Sequence, residues 1–185
     1  MIVREEEILE YYNPENKWVK LYFDKVLFPD GTRGRYNRIV EGDGHGSVAL
    51  IVLSERNELG LVNIYRYPVD AWLWEVPRGM CELECSVLEN ARRELNEETG
   101  YDSENIKEIG RFFPNSAIIS VDVAVLVARD LVPIDDTLDA DSGTIIETRF
   151  FDYSQIQHMI FNGEIRDGLT LAAINMARVH GVLNF

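Results

Sequence analysis

Three glutamates, Glu94, Glu97 and Glu98, are the residues whose type and spacing most directly suggest chemistry. On an α-helix, positions three and four residues apart lie on one face, so these carboxylates project together while Leu95 points into the core. Such a face is either a solvated surface, lightly compensated by neighbouring arginines, or a cluster of oxygen ligands for a hard cation such as Mg²⁺ or Mn²⁺. Composition alone favours the solvated alternative, because glutamate is a strong helix former that is common on exposed faces.

The segment around these glutamates carries start and stop signals for a helix. Ser86 followed by Glu89 is a capping box, in which a hydroxyl and a carboxylate satisfy free N–H groups at a helix start. Apolar residues then recur at spacings of three and four, and Gly100 is suited to end the helix in the left-handed conformation. These signals predict a helix from Val87 to Thr99.

Strand patterns surround this helix. Residues 18–28 are rich in β-branched and aromatic side chains and run into Pro29-Asp30-Gly31, which predicts a hairpin with a second strand at 35–40. Residues 123–128 are apolar throughout, as in a strand covered on both faces. Other predicted strands are 47–53, 61–67, 72–76, 106–113, 121–128 and 145–151, and predicted C-terminal helices are 154–162 and 169–180. This order favours an α+β fold, arranged as an α/β/α sandwich with a mixed β-sheet.

A glycine loop, Pro77-Arg78-Gly79-Met80, precedes the central helix and extends the pattern. From Gly79 onward the chain resembles the signature of the Nudix hydrolases: Gly, five residues, Glu, seven residues, then Arg-Glu-aliphatic-x-Glu-Glu-x-Gly-aliphatic. The matching residues are Gly79, Arg93, Glu94, Leu95, Glu97, Glu98 and Gly100, with Tyr101 in the final apolar position. This context reverses the balance between the two alternatives and favours the cation-binding cluster.

The resemblance implies roles for these residues. Glu94, Glu97 and Glu98 would be catalytic residues that bind Mg²⁺ or Mn²⁺, with a backbone carbonyl at Gly79 as a further oxygen ligand. Arg93 would orient Glu94 without touching the substrate. The implied reaction is the hydrolysis of a phosphoanhydride, since a bound metal screens a diphosphate and activates water.

The chain departs from the signature at one position. The first glutamate of the pattern falls on Cys85, where the family has a supporting residue that is often paired with the signature arginine. Glu84 is adjacent but one residue out of register, about 100° around a helix. Losing such a supporting residue typically lowers metal affinity or activity about 10- to 100-fold. We interpret Cys85 as a small buried side chain, and a disulfide with Cys81 is not expected in a cytosolic protein.

Outside the signature, residues 15–180 look most like the ADP-ribose and nucleotide-sugar pyrophosphatase branch. By this resemblance, residues 1–44 are a β-rich extension exchanged between two subunits of a homodimer, and residues 45–185 form the Nudix hydrolase domain. The branch usually has a Pro-Gly pair where this chain has Ser116 and Ala117, so specificity for ADP-ribose is not predicted. Its usual loop glutamate is also absent from 135–144; Asp139, Asp141 or a helix glutamate remain alternatives for the catalytic base.

Two arginines are candidates for substrate binding. The planar guanidinium groups of Arg66 and Arg78 suit phosphate oxygens, although each is equally suited to a salt bridge with a nearby carboxylate. Trp72 and Trp74 are candidates either for stacking a nucleotide base or for filling a sheet face.

The composition limits the partners. The chain has 185 residues with 18 basic and 32 acidic side chains, a net charge of −14, which fits one domain with an extension and disfavours binding to nucleic acid. Neither a secretory leader nor an apolar run of about 18 residues is present, so we expect a cytoplasmic protein without membrane contact, acting on a small nucleotide substrate. The alternative function is a non-catalytic Nudix-fold sensor or regulator that binds a nucleotide.

Overall fold

The computed structural model describes residues 1–134 and 145–183. An N-terminal antiparallel sheet is built on one long central strand, β3, which pairs with β4 along one edge and with β1 and then β2 along the other. Its strands are β1 (Val3–Glu6), β2 (Leu9–Asn13), β3 (Asn16–Leu27) and β4 (Arg33–Glu41). The predicted hairpin is confirmed: the N–H of Gly31 donates to the carbonyl of Phe28, and Gly31 adopts a φ of 85° that glycine tolerates without strain.

A second, seven-stranded sheet forms the centre of the fold. Its order is β10-β11-β5-β6-β13, with β7 paired to β6 and β8 paired to β5. β11 runs parallel to β5 and the other pairs are antiparallel, so the sheet is mixed. The strands are β5 (Ser47–Leu53), β6 (Leu59–Arg66), β7 (Ala71–Glu75), β8 (Arg78–Met80), β10 (Asn105–Phe112), β11 (Val123–Arg129) and β13 (Ile145–Phe151); β9 (Tyr101–Asp102) and β12 (Val132–Pro133) form a separate small pair.

One predicted loop is a strand instead. The glycine-containing segment before the helix forms β8, in which Gly79 lies opposite Val48 of β5. The prediction of a loop was wrong because three residues that include a glycine carry no strand signal of their own, and the pairing comes from a partner far away in the chain.

Helices cover both faces of the central sheet. Alternate residues of β5 separate into two cores: Val48, Leu50 and Val52 pack with α1 (Val87–Thr99). The intervening residues pack with α2 (Tyr153–Phe161) and α3 (Gly168–Val179) on the opposite face. This arrangement confirms the α+β fold, an α/β/α sandwich with a mixed sheet. None of the helices in the two described ranges has the length and apolar character that a membrane crossing needs.

The caps of α1 are those that its sequence predicts. The Ser86 hydroxyl accepts from the N–H of Glu89, and the Glu89 carboxylate accepts from the N–H of Ser86 at 2.7 Å. At the other end, Gly100 adopts a φ of 73° and its N–H donates to the carbonyl of Asn96. Because both ends are fixed locally and Leu95 is fully buried, the carboxylates of α1 have a defined direction.

Candidate active site

A cavity of about 760 Å³ opens beside α1 and β8. It is bordered by side chains from the N-terminal sheet, by β8 and by the carboxylate face of α1, and Leu169 of α3 closes one side. The cavity brings together seven residues that the sequence predicts for metal binding, catalysis or substrate binding: Arg66, Arg78, Gly79, Arg93, Glu94, Glu97 and Glu98.

The close approach of α1 to β8 depends on Gly79. A Cβ atom added at this position would overlap the carboxylate of Glu94, whose residue is only 7% exposed. The missing side chain therefore makes room for the glutamate, so that a carboxylate lies directly against the backbone of β8. A role for the Gly79 carbonyl as a metal ligand stays a prediction.

Arg93 forms ion pairs with Glu94 and Glu97, two of the three glutamates. Its Nη2 lies 2.7 Å from Oε1 of Glu94, and its Nη1 lies 2.9 Å from Oε2 of Glu97. The same Nη2 also donates to the carbonyl of Met80 on β8 at 3.0 Å. Arg93 thus ties α1 to β8 and sets the direction of Glu94.

Glu98 occupies a strongly perturbed environment. Its Oε2 accepts a hydrogen bond of 2.9 Å from the backbone N–H of Arg78. Burial, together with the neighbouring charge of Glu94, raises the pKa of Glu98 to about 8, against the opposing effect of that hydrogen bond and of the nearby guanidinium groups. The negative charges of Glu94 and Glu98 are therefore crowded together, which disfavours the ionised form of Glu98.

A second ionic cluster faces the cavity. Glu75, which is fully buried, accepts from Arg66 through both Nε and Nη2, the latter at 2.7 Å, and from Nε of Arg78 at 3.0 Å. Asp167, which caps α3, lies 3.6 Å from Nη2 of Arg78. Each arginine therefore forms the salt bridge that was one of its two alternatives, and each also lines the cavity. Binding of a substrate by Arg66 and Arg78 stays a prediction.

The residues present suit a hard divalent cation. Carboxylate oxygens are its preferred ligands, and the crowding of Glu94 and Glu98 is what an added positive charge would relieve. Within the described ranges, however, no three His, Cys, Asp or Glu side chains converge on one point. Glu94 and Glu97 pair with Arg93, whereas Glu98 accepts from the backbone N–H of Arg78. The role of these three glutamates as metal ligands stays a prediction.

The family model of the NUDIX domain matches residues 44–172. The chain belongs to the Nudix family. It is 25% identical over 167 residues to the ADP-ribose pyrophosphatase of Bacillus subtilis, which covers 90% of this chain and 89% of that protein. It is 27% identical over 178 residues to the GDP-mannose pyrophosphatase of Yersinia enterocolitica, covering 90% and 91% of the two chains.

Two further similarities extend this result. The methanol dehydrogenase activator of Bacillus methanolicus is 26% identical over 165 residues, covering 89% of this chain and 88% of that protein. The crystal structure of an ADP compounds hydrolase superposes with a TM-score of 0.80 at 17% identity, covering 96% and 92% of the two chains, and confirms the Nudix fold. Family membership and the pyrophosphatase relatives identify this Nudix protein as a pyrophosphohydrolase.

The structure also places residues that the Nudix signature does not predict. Glu75 orients both arginines, and Trp18 of the N-terminal sheet lines the cavity, whereas Trp72 and Trp74 do not contribute to its lining. Trp74 instead packs edge-on against Phe151 at a centroid distance of 4.9 Å, in the core. Spacing along the chain could not reveal Glu75 or Trp18, because each reaches the site through strand pairing.

Two remaining predictions concern the departures from the signature. The interpretation of Cys85 as a buried side chain is wrong: it is exposed, because it lies in the turn just before α1. Both cysteines are free thiols. The loop at 135–144, with Asp139 and Asp141 as candidates for the catalytic base, lies outside the described residues.

Proposed function

We propose that this Nudix enzyme hydrolyses the phosphoanhydride bond of a nucleoside diphosphate linked to a second moiety, such as a nucleotide sugar or ADP-ribose, with Mg²⁺ or Mn²⁺. The observation that carries the proposal is the composition of the cavity. One side presents the α1 carboxylates and another presents the two arginines held by Glu75. A diphosphate needs both kinds of group, because its charge is neutralised by cations and its oxygens accept from guanidinium N–H groups.

The residues of the chain divide this work. Glu94 and Glu98, with Glu97 beside them and the carbonyl of Gly79, would hold the cation. When bound, a divalent cation screens the diphosphate and lowers the pKa of water at the site. Arg93 keeps Glu94 in place through its 2.7 Å contact.

Arg66 and Arg78 bind the diphosphate oxygens in this proposal. Glu75 fixes their direction before the substrate arrives, which reduces the entropy lost on binding. Hydrolysis would release a nucleoside monophosphate and the phosphorylated second moiety. The names of the relatives, an ADP-ribose pyrophosphatase and a GDP-mannose pyrophosphatase, support this class of substrate.

We also propose that the enzyme is a cytoplasmic homodimer and that residues 1–44 contribute to its interface. The N-terminal sheet exposes several large apolar side chains, which would be covered by a second subunit. They include Leu9 (49% exposed), Tyr11 (48%), Trp18 (53%) and Tyr36 (43%). Sedimentation equilibrium of the full chain tests this proposal, and a monomer throughout the micromolar range would contradict it.

The catalytic proposal is tested by measuring phosphate released, after phosphatase treatment, from nucleotide sugars, ADP-ribose, dinucleoside polyphosphates and nucleoside triphosphates. Each is assayed with Mg²⁺, with Mn²⁺ and with EDTA. We expect turnover of the linked nucleoside diphosphates that EDTA abolishes. Replacing Glu98 by Gln should reduce kcat more than about 100-fold, since it removes a ligand and not only a supporting partner.

The matched control is Glu104→Gln, which removes a carboxylate that is 91% exposed and lies outside the cavity lining. This variant should retain full activity. Metal-dependent nucleotide binding without turnover of any compound would instead favour the non-catalytic sensor or regulator, for which the departure at Cys85 is the supporting observation.

A further inference from the structure

The Nε–H group of Arg93 is buried and has no hydrogen-bond partner among the described residues. The terminal nitrogens of Arg93 contact Glu94, Glu97 and the Met80 carbonyl, whereas no group within residues 1–134 and 145–183 accepts from Nε. Buried donors in native proteins are nearly always paired, so an unpaired one at a functional site requires an explanation. In this chain the signature position that would supply a carboxylate holds Cys85.

Glu82 is positioned to supply that carboxylate. Its Oε1 lies 4.0 Å from Nε of Arg93, and its Oε2 lies 4.0 Å from Sγ of Cys85. The carboxylate therefore stands between the guanidinium and the thiol that replaces the signature glutamate. Glu82 lines the cavity, whereas Glu84, the acidic residue next to Cys85, does not.

The backbone around Glu82 is anchored to the helix that carries the site. Asn90 of α1 is only 1% exposed; its Oδ1 accepts from the N–H of Glu82 at 2.9 Å, and its Nδ2 donates to the carbonyls of Cys85 and Ser86. The Glu82 side chain itself is 64% exposed and can rotate. A movement of about 1 Å brings its oxygen within hydrogen-bonding distance of Nε.

We propose that Glu82 is a positioning residue that replaces the missing signature carboxylate by pairing with Nε of Arg93. The pairing fixes the guanidinium, so that its other two nitrogens keep Glu94 and Glu97 oriented for cation binding. This inference rests on the cation-binding role given above to the α1 glutamates. Removing a partner that orients metal ligands typically weakens metal binding about 10- to 100-fold, and the exposure of Glu82 places it near the lower limit.

The test is a titration of the full chain with Mn²⁺, in which free Mn²⁺ is followed by electron paramagnetic resonance. Glu82→Gln should weaken Mn²⁺ binding about tenfold. The matched control, Glu84→Gln, removes the same charge two residues away and should change the affinity less than about twofold, because exposed charges are strongly screened. Adding Cys85→Glu to Glu82→Gln should restore the affinity, since it returns a carboxylate to the signature position.

A further arm distinguishes positioning from direct contact with the ion. In an Arg93→Lys background, which removes Nε and the planar fork, Glu82→Gln should cause no additional loss of Mn²⁺ affinity. Equal effects of Glu82→Gln and Glu84→Gln, failure of Cys85→Glu to rescue, or a full effect of Glu82→Gln in the Arg93→Lys background would each overturn the proposal.

A measurement without metal separates this inference from the proposed function. In EDTA, Glu82→Gln should lower the urea midpoint of the wild-type background but not that of the Arg93→Lys background. The wild-type protein could bind no Mn²⁺ while Glu82→Gln still lowers the urea midpoint only when Arg93 is present. That result would refute the cation-binding role of the α1 glutamates, and with it the positioning role of Glu82, but it would support an ion pair between Glu82 and Arg93. Mn²⁺ binding and turnover without the difference would refute the inference alone.

Discussion

Replacing Glu75 by Gln should destabilise the protein more than the loss of any exposed ion pair. The carboxylate is fully buried and accepts from both Arg66 and Arg78. In the variant, the NH₂ group of the amide would face a guanidinium group. Both groups are hydrogen-bond donors, so neither would have an acceptor at this contact. Removing one partner of a buried pair costs about 3 to 5 kcal/mol. Because the two arginine side chains are 29% and 22% exposed and water can partly rehydrate them, we expect about 2 to 3 kcal/mol.

The control is an ion pair of nearly the same length on the surface. Glu147 lies 2.8 Å from Arg149, but the two side chains are 38% and 58% exposed. Its replacement by Gln should cost about 0.5 kcal/mol or less. Urea unfolding of both variants measures the difference in the free energy of unfolding. Equal losses for Glu75→Gln and Glu147→Gln would refute the reasoning, because burial would then not be what makes the Glu75 cluster strong.

The same substitution tests the role of the arginines. If Glu75 orients them for the substrate, Glu75→Gln should raise KM about tenfold, equivalent to about 1.4 kcal/mol, with a smaller change in kcat. A variant that unfolds more easily but keeps the wild-type KM at a temperature where it is fully folded would show that the cluster is structural only.

Three other substitutions give separate predictions. Gly79→Ala should lower Mn²⁺ affinity and turnover about 10- to 100-fold, because the methyl group would displace the Glu94 carboxylate; circular dichroism checks that the fold is retained. The hydrogen bond with Arg92 lowers the pKa of Asp102 to about 2. Asp102 should therefore contribute about 1 kcal/mol to the free energy of unfolding above pH 4, and this contribution is lost as the pH falls toward 2. Asp102→Asn should remove this dependence from acid unfolding curves. Ser86→Ala should cost about 1 kcal/mol in urea unfolding through loss of the helix cap, and an unchanged midpoint would contradict this.

The parts of the fold that depend on local signals could be predicted from the sequence. The bounds of α1 follow from Ser86, Glu89 and Gly100, since each acts within one turn of the helix. The burial of Val123 and its successors on β11 follows from an apolar run that both faces need. The carboxylates of the site could also be predicted from local spacing, because the three glutamates share one helix.

The remaining parts depend on contacts between distant segments. β1 (Val3–Glu6) is exposed at every position, and its sequence has no alternation of apolar and polar residues that would predict a strand. It is a strand because it pairs with β3. Glu75 lies at the end of β7, which pairs antiparallel with β6, and its side chain contacts that of Arg66 at the end of β6. Glu82, which we propose as the replacement for the signature carboxylate, lies in a turn held by buried Asn90, whereas the sequence shows only that Glu84 is next to Cys85.

In the proposed function, Arg66 and Arg78 serve both stability and substrate binding, and their contacts with Glu75 are compatible with both roles. A guanidinium carries five N–H donors, and the contacts of Arg66 with Glu75 use only Nε and Nη2. These contacts leave the two donors of Nη1 to the ligand of the proposed function, and the direction in which they point is set by a carboxylate that water does not reach. Arg78 is held by the same carboxylate, so the two guanidinium groups are fixed relative to each other before any ligand binds. A clamp built in this way favours an anion with two neighbouring groups of oxygens, as in a diphosphate, over one with a single group, because only the former uses both fixed directions.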